Sequence, residues 1–73
     1  MTEFAGHIMK WSRNLDAFTE QDVKDRFRDV CTRKRRATLL GLVVSGYVNR
    51  STAQDGSHIY WVNEAVAEML KIG

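Results

Sequence analysis

The apolar residues near the start of the chain recur at helical spacing. The first apolar series has spacings of four, three and four positions and consists of Phe4, Ile8, Trp11 and Leu15. Residues at these spacings lie on one face of an α-helix, which can then be buried against the rest of the protein. The series therefore predicts a first helix that begins near Thr2 and ends near Asn14.

A second apolar series follows with the same period. The segment from Leu15 to Phe18 is too short to be an independent element, and we expect it to add a brief strand to a sheet formed later in the chain. Thr19 followed by Asp22 is typical of a helix N-cap with an acid in the first turn. A second helix is predicted from this cap to about Asp29 or Val30, with Val23, Phe27 and Val30 on its apolar face.

The next segment predicts a third helix. Thr32 can cap a helix that runs from Arg33 to about Ser45, and Gly46 can supply the left-handed residue at which helices commonly end.

The remainder of the chain changes to a strand pattern. Residues 47–50 and 58–62 are rich in aromatic and β-branched side chains, and Asp55-Gly56 between them is a strong turn signal. They predict a hairpin with a loop of about seven residues, 51–57. Asn63 then caps a short closing helix over residues 64–70, whose apolar positions are Val66, Met69 and Leu70.

This order of elements, together with two local motifs, resembles the winged helix-turn-helix superfamily. Phe18-Thr19 resembles the usual apolar residue and cap before the second helix, and residues 42–50, LVVSGYVNR, resemble the superfamily's pattern of Leu, three residues, Gly, two apolar residues, one residue and Arg. Residues 59–62 resemble its returning wing strand. The resemblance covers about residues 3 to 62 and implies one α+β domain over residues 1–73, with helix 3 in the major groove of DNA and the hairpin as a wing.

Charge is concentrated at the start of helix 3. The chain has 73 residues and a net charge of +2, but residues 24 to 36 contain seven basic and two acidic side chains, a local net charge of +5. Residues 33–36 are Arg-Lys-Arg-Arg. A patch of this kind attracts a polyanion even when the whole chain is nearly neutral.

Two orientations of helix 3 are compatible with its sequence. Winding the helix at about 100° per residue places Lys34, Thr38, Gly41 and Ser45 on one polar stripe, opposite Leu39 and Val43. Alignment on Gly46 with the superfamily pattern instead turns Arg33, Arg36, Ala37 and Leu40 outward, and turns Arg35, Leu39 and Leu42 inward. Both orientations leave the first turn, residues 32–36, protruding.

Candidate DNA contacts lie in two places. The start of helix 3 offers cationic and hydroxyl side chains that can bind phosphates and base edges. The hairpin offers one arginine at its base and small polar groups in its loop. The expected set is Thr32, Arg33, Lys34, Arg36, Ala37, Thr38, Arg50, Ser51 and Gln54.

Other classes of function find less support in the sequence. No motif places a base beside Cys31 or a serine, and His7 and His58 lack a third metal ligand, so we expect neither an enzyme nor a metal or cofactor site. The single cysteine favours a reducing, cytoplasmic setting, and no segment has the length of a membrane span. The aromatic residues Trp11, Tyr47, Tyr60 and Trp61 are expected to be core residues rather than a base-stacking platform.

These patterns together favour a sequence-specific regulator of transcription that binds double-stranded DNA. A lone domain of this size makes few contacts, so we expect a homodimer, joined through helix 1 or the C-terminal helix. By association, such chains are typical of phages and other mobile elements. The alternative is a winged-helix protein-interaction module, such as an antirepressor or accessory factor, that presents Leu40 and Val44 to a protein partner.

Overall fold

The computed structural model describes residues 2 to 72, with side chains up to Met69. In this range the chain forms four α-helices and one antiparallel hairpin. This arrangement agrees with the predicted α+β class. The elements in chain order are α1 (Glu3–Ser12), α2 (Glu20–Arg26), α3 (Thr32–Val44), β1 (Val48–Thr52), β2 (His58–Val62) and α4 (Glu64–Ile72).

Helix α1 begins as predicted and ends earlier. The Thr2 hydroxyl accepts a hydrogen bond from the backbone N–H of Ala5 at 3.2 Å, which satisfies one of the free donors of the first turn. The helix ends at Ser12 rather than near Asn14. Leu15 lies outside the helix and is 39% exposed, so its assignment to the buried face was wrong.

Helix α2 has the predicted start and is several residues shorter than expected. Thr19 and Asp22 form a reciprocal capping box, with hydrogen bonds of 3.1 and 2.9 Å. Phe27 leaves the helical conformation with φ −122° and ψ 56°, and its ring packs edge-on against Phe4 and Trp11. The predicted end at Asp29 or Val30 was therefore wrong: the chain turns where Phe27 enters the core.

Helix α3 starts one residue before the predicted position. Cys31 is its N-cap, it makes no side-chain cap hydrogen bond, and Thr32 is the first helical residue, so the predicted cap at Thr32 was wrong. The predicted terminator is confirmed. Gly46 has φ 85°, and the N–H groups of Gly46 and Tyr47 donate to the carbonyls of Val43 and Leu42, which is the Schellman arrangement.

The first strand of the hairpin ends two residues later than predicted, and the connecting loop is shorter. Strand β1 pairs with β2 in a register that places Val48 opposite Val62 and Arg50 opposite Tyr60. Because β1 continues to Thr52, the connection is residues 53–57 rather than 51–57. Gly56 has φ 88° and donates to the Ala53 carbonyl, which confirms the turn at Asp55-Gly56.

The hairpin is joined to the helical part by the residue before α2. Phe18 forms an isolated antiparallel bridge with Tyr60, with two backbone hydrogen bonds of 2.8 Å, so the expected brief strand is reduced to one residue. Both side chains are 2% exposed and their rings stack. They belong to the buried core, whose members are Phe4, Ala5, Ile8, Met9, Phe18, Val23, Leu39, Leu42, Val48 and Tyr60.

Helix α4 closes the described part of the chain. The Asn63 side chain caps it by accepting from the Ala65 N–H at 2.9 Å, as predicted. Val66 packs against the core, whereas Met69 is 69% exposed; the Leu70 side chain lies outside the described residues. Within the described range, no helix has both the length and the apolar character needed to span a bilayer.

The Schellman glycine gives a matched pair of stability predictions. Gly46→Ala should destabilise the fold by about 1 kcal/mol, because an alanine pays a steric penalty at positive φ. Gly41→Ala should stabilise it by about 0.5–1 kcal/mol, because Gly41 lies inside α3 and a Cβ there meets nothing within 4 Å. Urea denaturation of both variants measures the difference. Equal shifts of the two midpoints would contradict the left-handed assignment.

Candidate nucleic-acid interface

The orientation of α3 is the one expected from alignment on Gly46. Arg35, Leu39 and Leu42 are buried, whereas Arg33, Arg36, Ala37 and Leu40 are exposed. At about 100° per residue the exposed group, together with Val44, forms one face of the helix. We call this set, Arg33, Arg36, Ala37, Leu40 and Val44, the α3 outer face.

The polar stripe of the other orientation lies on the side of α3 that faces α1. Thr38, Gly41 and Ser45 line a shallow groove together with Thr2 and Ala5. Lys34 belongs to the same side, where its ammonium lies 5.8 Å from the centroid of the Phe4 ring, within the range of a cation–π contact. Lys34 and the half-buried Thr38 were predicted as DNA contacts, and they flank the outer face rather than forming it.

Arg35 has a structural position within the basic run. It is 8% exposed, and its guanidinium donates to the Val30 carbonyl and to the Thr32 hydroxyl, the latter at 2.9 Å. These bonds connect the turn after α2 to the first turn of α3. Thr32, a predicted DNA contact, is exposed but its hydroxyl oxygen already serves as the acceptor for Arg35.

Arg36 is connected to the hairpin through two other side chains. The Nε atom of Arg36 lies 4.0 Å from Oε2 of Glu20, the first residue of α2. The other carboxylate oxygen, Oε1, accepts a hydrogen bond of 2.9 Å from the Tyr60 hydroxyl. Glu20 therefore contacts both α3 and β2.

Arg50 is a second charged neighbour of the same phenol. It is exposed on β1 directly opposite Tyr60. Burial raises the pKa of the Tyr60 phenol above its usual range, the Glu20 carboxylate raises it further, and the Arg50 guanidinium opposes both effects. Two predicted contacts from distant parts of the chain, Arg36 and Arg50, are thus both neighbours of the Glu20–Tyr60 pair.

The tip of the hairpin is polar and carries a negative charge. Ser51, on β1, and Gln54, in the connection, were predicted as DNA contacts, and both are exposed. The Ser57 hydroxyl and N–H both donate to Asp55, and these bonds lower the pKa of its carboxyl group below the usual range. The ionised carboxylate repels phosphates, so the base of the hairpin at Arg50 is the more favourable place for an anion.

The outer face of α3 changes character along its length. Its first part carries Arg33 and Arg36, whereas its second part carries Leu40 and Val44, which are 51% and 78% exposed. Exposed apolar side chains that lie together on one helix commonly mark a contact surface.

Glu20 and Tyr60 were not among the expected site residues. In the sequence, Glu20 is an ordinary first-turn acid and Tyr60 one of several aromatic strand residues. They are separated by 40 positions, and the bridge between Phe18 and Tyr60 together with core packing brings them close. No local spacing in the sequence could reveal this contact. The signal that could reveal it is joint variation of the strand tyrosine and the residue after the helix cap among related sequences.

The chain has no match among protein-family models, curated proteins or solved structures. In the part of the chain that is described, no three histidine, cysteine or acidic side chains lie close enough together to bind a metal ion. The candidate interface consists of the basic and polar side chains of α3 and the hairpin described above.

Replacement of the buried Arg35 and of the exposed Arg33 should have different effects on stability. Arg35→Met should destabilise the fold by about 2 kcal/mol, because the Val30 carbonyl loses a charged donor in a partly buried position. Arg33→Met is the control and should change stability by less than about 0.5 kcal/mol, since Arg33 is exposed. Denaturation in urea distinguishes them. A similar loss in both variants would contradict the structural role of Arg35.

Proposed function

We propose that this protein is a winged-helix regulator that binds double-stranded DNA, with the start of α3 in the major groove and the base of the hairpin against the phosphate backbone. The observation that carries the proposal is the placement of Arg33 and Arg36 on one exposed helix face, with Arg50 on the neighbouring hairpin. A cationic helix face beside a cationic strand fits a groove and its adjoining phosphates.

The internal structure of the basic run supports this proposal. Of its four residues, Arg35 is used to hold the α2–α3 turn and Lys34 lies towards α1, so the run is not a uniform solvated charge cluster. Arg33 and Arg36 remain on the outer face, where a helix can present them to DNA. Arg33 is suited to a phosphate, because a flexible cation at a helix start can reach the backbone without exact base alignment.

A single domain with this few contacts favours a two-fold assembly. Specific protein–DNA complexes of small modules commonly gain affinity by binding two half-sites as a dimer. The proposal therefore includes a homodimer on paired half-sites and a role as a transcription regulator, as expected of the compact DNA-binding chains of mobile elements.

A protein-interaction module is the second candidate, and the exposure of Leu40 and Val44 favours it. In this case the apolar half of the α3 outer face binds a protein partner, and the arginines bind an acidic surface beside it. Leu40→Ala and Val44→Ala should then abolish the protein complex without unfolding the chain, since neither side chain is part of the core.

Binding to a labelled random-sequence duplex across a salt series separates the two candidates. The DNA proposal predicts a steep loss of affinity with salt, because phosphate contacts release counterions. Arg33→Gln and Arg50→Gln should each flatten the slope of log K against log salt by about one. Fluorescence anisotropy of the duplex gives both the affinity and the slope.

Arg13→Gln is the charge-matched control. Arg13 is exposed at the end of α1, outside the proposed interface, and its replacement changes the net charge by the same amount. Its slope should stay within about 0.3 of the wild-type value, since no phosphate contact is lost. Absence of duplex binding at about 20 mM salt, where counterion release is most favourable, contradicts the DNA proposal.

A further inference from the structure

The position of Glu20 is not explained by helix capping. The capping box of α2 is formed by Thr19 and Asp22, which satisfy each other's backbone N–H groups. The Glu20 carboxylate instead turns towards the hairpin and α3, where it contacts Tyr60 and Arg36. One acid thus connects the beginning of α2, the outer face of α3 and strand β2.

Stability does not require a negative charge at this position. The Tyr60 hydroxyl needs an acceptor, and the side-chain oxygen of a glutamine would provide one. The ion pair with Arg36 is long, at 4.0 Å, and its side chains are 46% and 73% exposed. Exposed pairs of this kind contribute little to folding. On a surface that attracts phosphate, however, a carboxylate weakens the attraction, so its effect falls on binding.

The contact with Glu20 does not involve Nη1 and Nη2, the two terminal nitrogens of Arg36. Glu20 lies next to Nε, the inner nitrogen of the guanidinium. Within the described part of the chain, no side chain or carbonyl accepts a hydrogen bond from Nη1 or Nη2 of Arg36. An arginine donates through two nitrogens to O6 and N7 of guanine, the most common specific contact in the major groove. A carboxylate near Nε attracts the guanidinium and favours positions in which both Nη groups remain available for such a contact.

We infer that Arg36 reads a guanine in the major groove and that Glu20 is the positioning residue that holds it for this contact and disfavours its use on phosphates. A phosphate that draws Arg36 away from Glu20 leaves the carboxylate unpaired beside another anion. A guanine that binds the two Nη groups leaves the Glu20 contact in place. The pair therefore favours the base over the backbone. This inference deepens the proposed function and depends on it.

Tyr60 makes this positioning dependent on the hairpin. Its hydroxyl donates to Oε1 of Glu20, whereas Arg36 lies near Oε2, so the two residues contact different oxygens of the carboxylate. The backbone of Tyr60 is also bridged to Phe18, two residues before Glu20. The strand β2 and the start of α2 are therefore attached to each other on both the backbone and the side-chain level. Arg33 has no such acid among the described residues, which agrees with its assignment to phosphate.

Selection of bound duplexes from a random pool, followed by titration against a selected and a random duplex, tests the inference. The wild type should select a fixed guanine in each half-site, and replacing that guanine should weaken binding by about 5- to 100-fold, the range of a bidentate contact. Arg36→Lys keeps the charge but not the two-nitrogen geometry. It should lose the guanine preference while its salt slope on random duplex stays unchanged.

Glu20→Gln separates positioning from contact. It should tighten binding to random duplex by about two- to fivefold, as expected when an exposed ion pair is removed, and should reduce the guanine preference. Arg13→Lys is the matched control and should change neither quantity, because Arg13 is exposed at the end of α1, outside the proposed interface. Tyr60→Phe keeps the carboxylate but removes its hydrogen bond; it should reduce the guanine preference without increasing the affinity for random duplex.

A titration of the phenol checks the contact without DNA. The chain has two tyrosines, so a Tyr47→Phe background leaves Tyr60 as the single reporter. In this background, Glu20→Gln should lower the pKa of Tyr60, because the raising effect of the carboxylate is lost, and Arg50→Gln should raise it. Ultraviolet absorbance of the phenolate measures both shifts, and circular dichroism verifies that each variant is folded.

The outcomes distinguish the inference from the proposed function. If the wild type binds duplex with a steep salt dependence but Glu20→Gln leaves both random-duplex affinity and guanine preference unchanged, the inference is overturned and the proposed function stands. Weaker binding of Glu20→Gln to every duplex also overturns it, since the acid would then support binding in general. If the wild type binds no duplex at low salt, the proposed function fails and the inference with it.

Discussion

The backbone bridge between Phe18 and Tyr60 determines how the two halves of the molecule are arranged. A two-stranded hairpin has little stability of its own and needs a surface to pack on. Here the bridge attaches β2 to the residue that precedes the α2 cap, with two hydrogen bonds of 2.8 Å and stacked rings in the core. The hairpin therefore cannot turn about its connection to α3 without breaking buried contacts. The position of Arg50 relative to the α3 outer face therefore depends on this attachment as well as on the turn that joins α3 to β1.

The basic run illustrates how a helix divides adjacent charges among different tasks. Consecutive residues differ by about 100° in direction, so four of them cannot share one surface. Arg35 turns inward and holds the α2–α3 turn, Lys34 turns towards α1, and Arg33 and Arg36 remain outside. The local charge of the segment thus overstates what the outer face presents. The arginines that this side of the molecule presents are Arg33 and Arg36 of α3 and Arg50 of the hairpin, rather than the whole run.

The features that could be predicted from the sequence are those fixed by neighbouring residues. The start of α1 near Thr2, the caps at Thr19 and Asn63, the left-handed Gly46 and the bounds of β2 all depend on interactions over a few positions, and the structure confirms them. The end of α2 was missed because Phe27 is drawn out of the helix by aromatic rings from α1. A periodic pattern contains no information about such a distant partner.

Orientation and long-range contacts required the folded chain for the same reason. The helical periodicity of α3 is weak, since an arginine occupies one of its three buried positions and two apolar residues, Leu40 and Val44, are exposed. Alignment on Gly46 gave the correct orientation because the Schellman turn fixes the angle at which α3 meets β1. The Glu20–Tyr60 contact spans 40 positions and is set by the register of the hairpin. Nothing near either residue could indicate it.

The α3 outer face has a cationic part and an apolar part, and their order along the helix determines whether the two candidate functions are compatible. Its arginines occupy the first two turns, next to Glu20 and the hairpin contact, whereas Leu40 and Val44 occupy the last two turns. An apolar side chain cannot satisfy a phosphate, but it can pack against a thymine methyl or against a protein surface. If the first turns enter the groove, the apolar turns lie further along the helix axis, where the groove edge and any protein bound beside it come within reach. The two surfaces are therefore successive parts of one helix, and the proposed contact of the first part with DNA would leave the second part free to contact a partner.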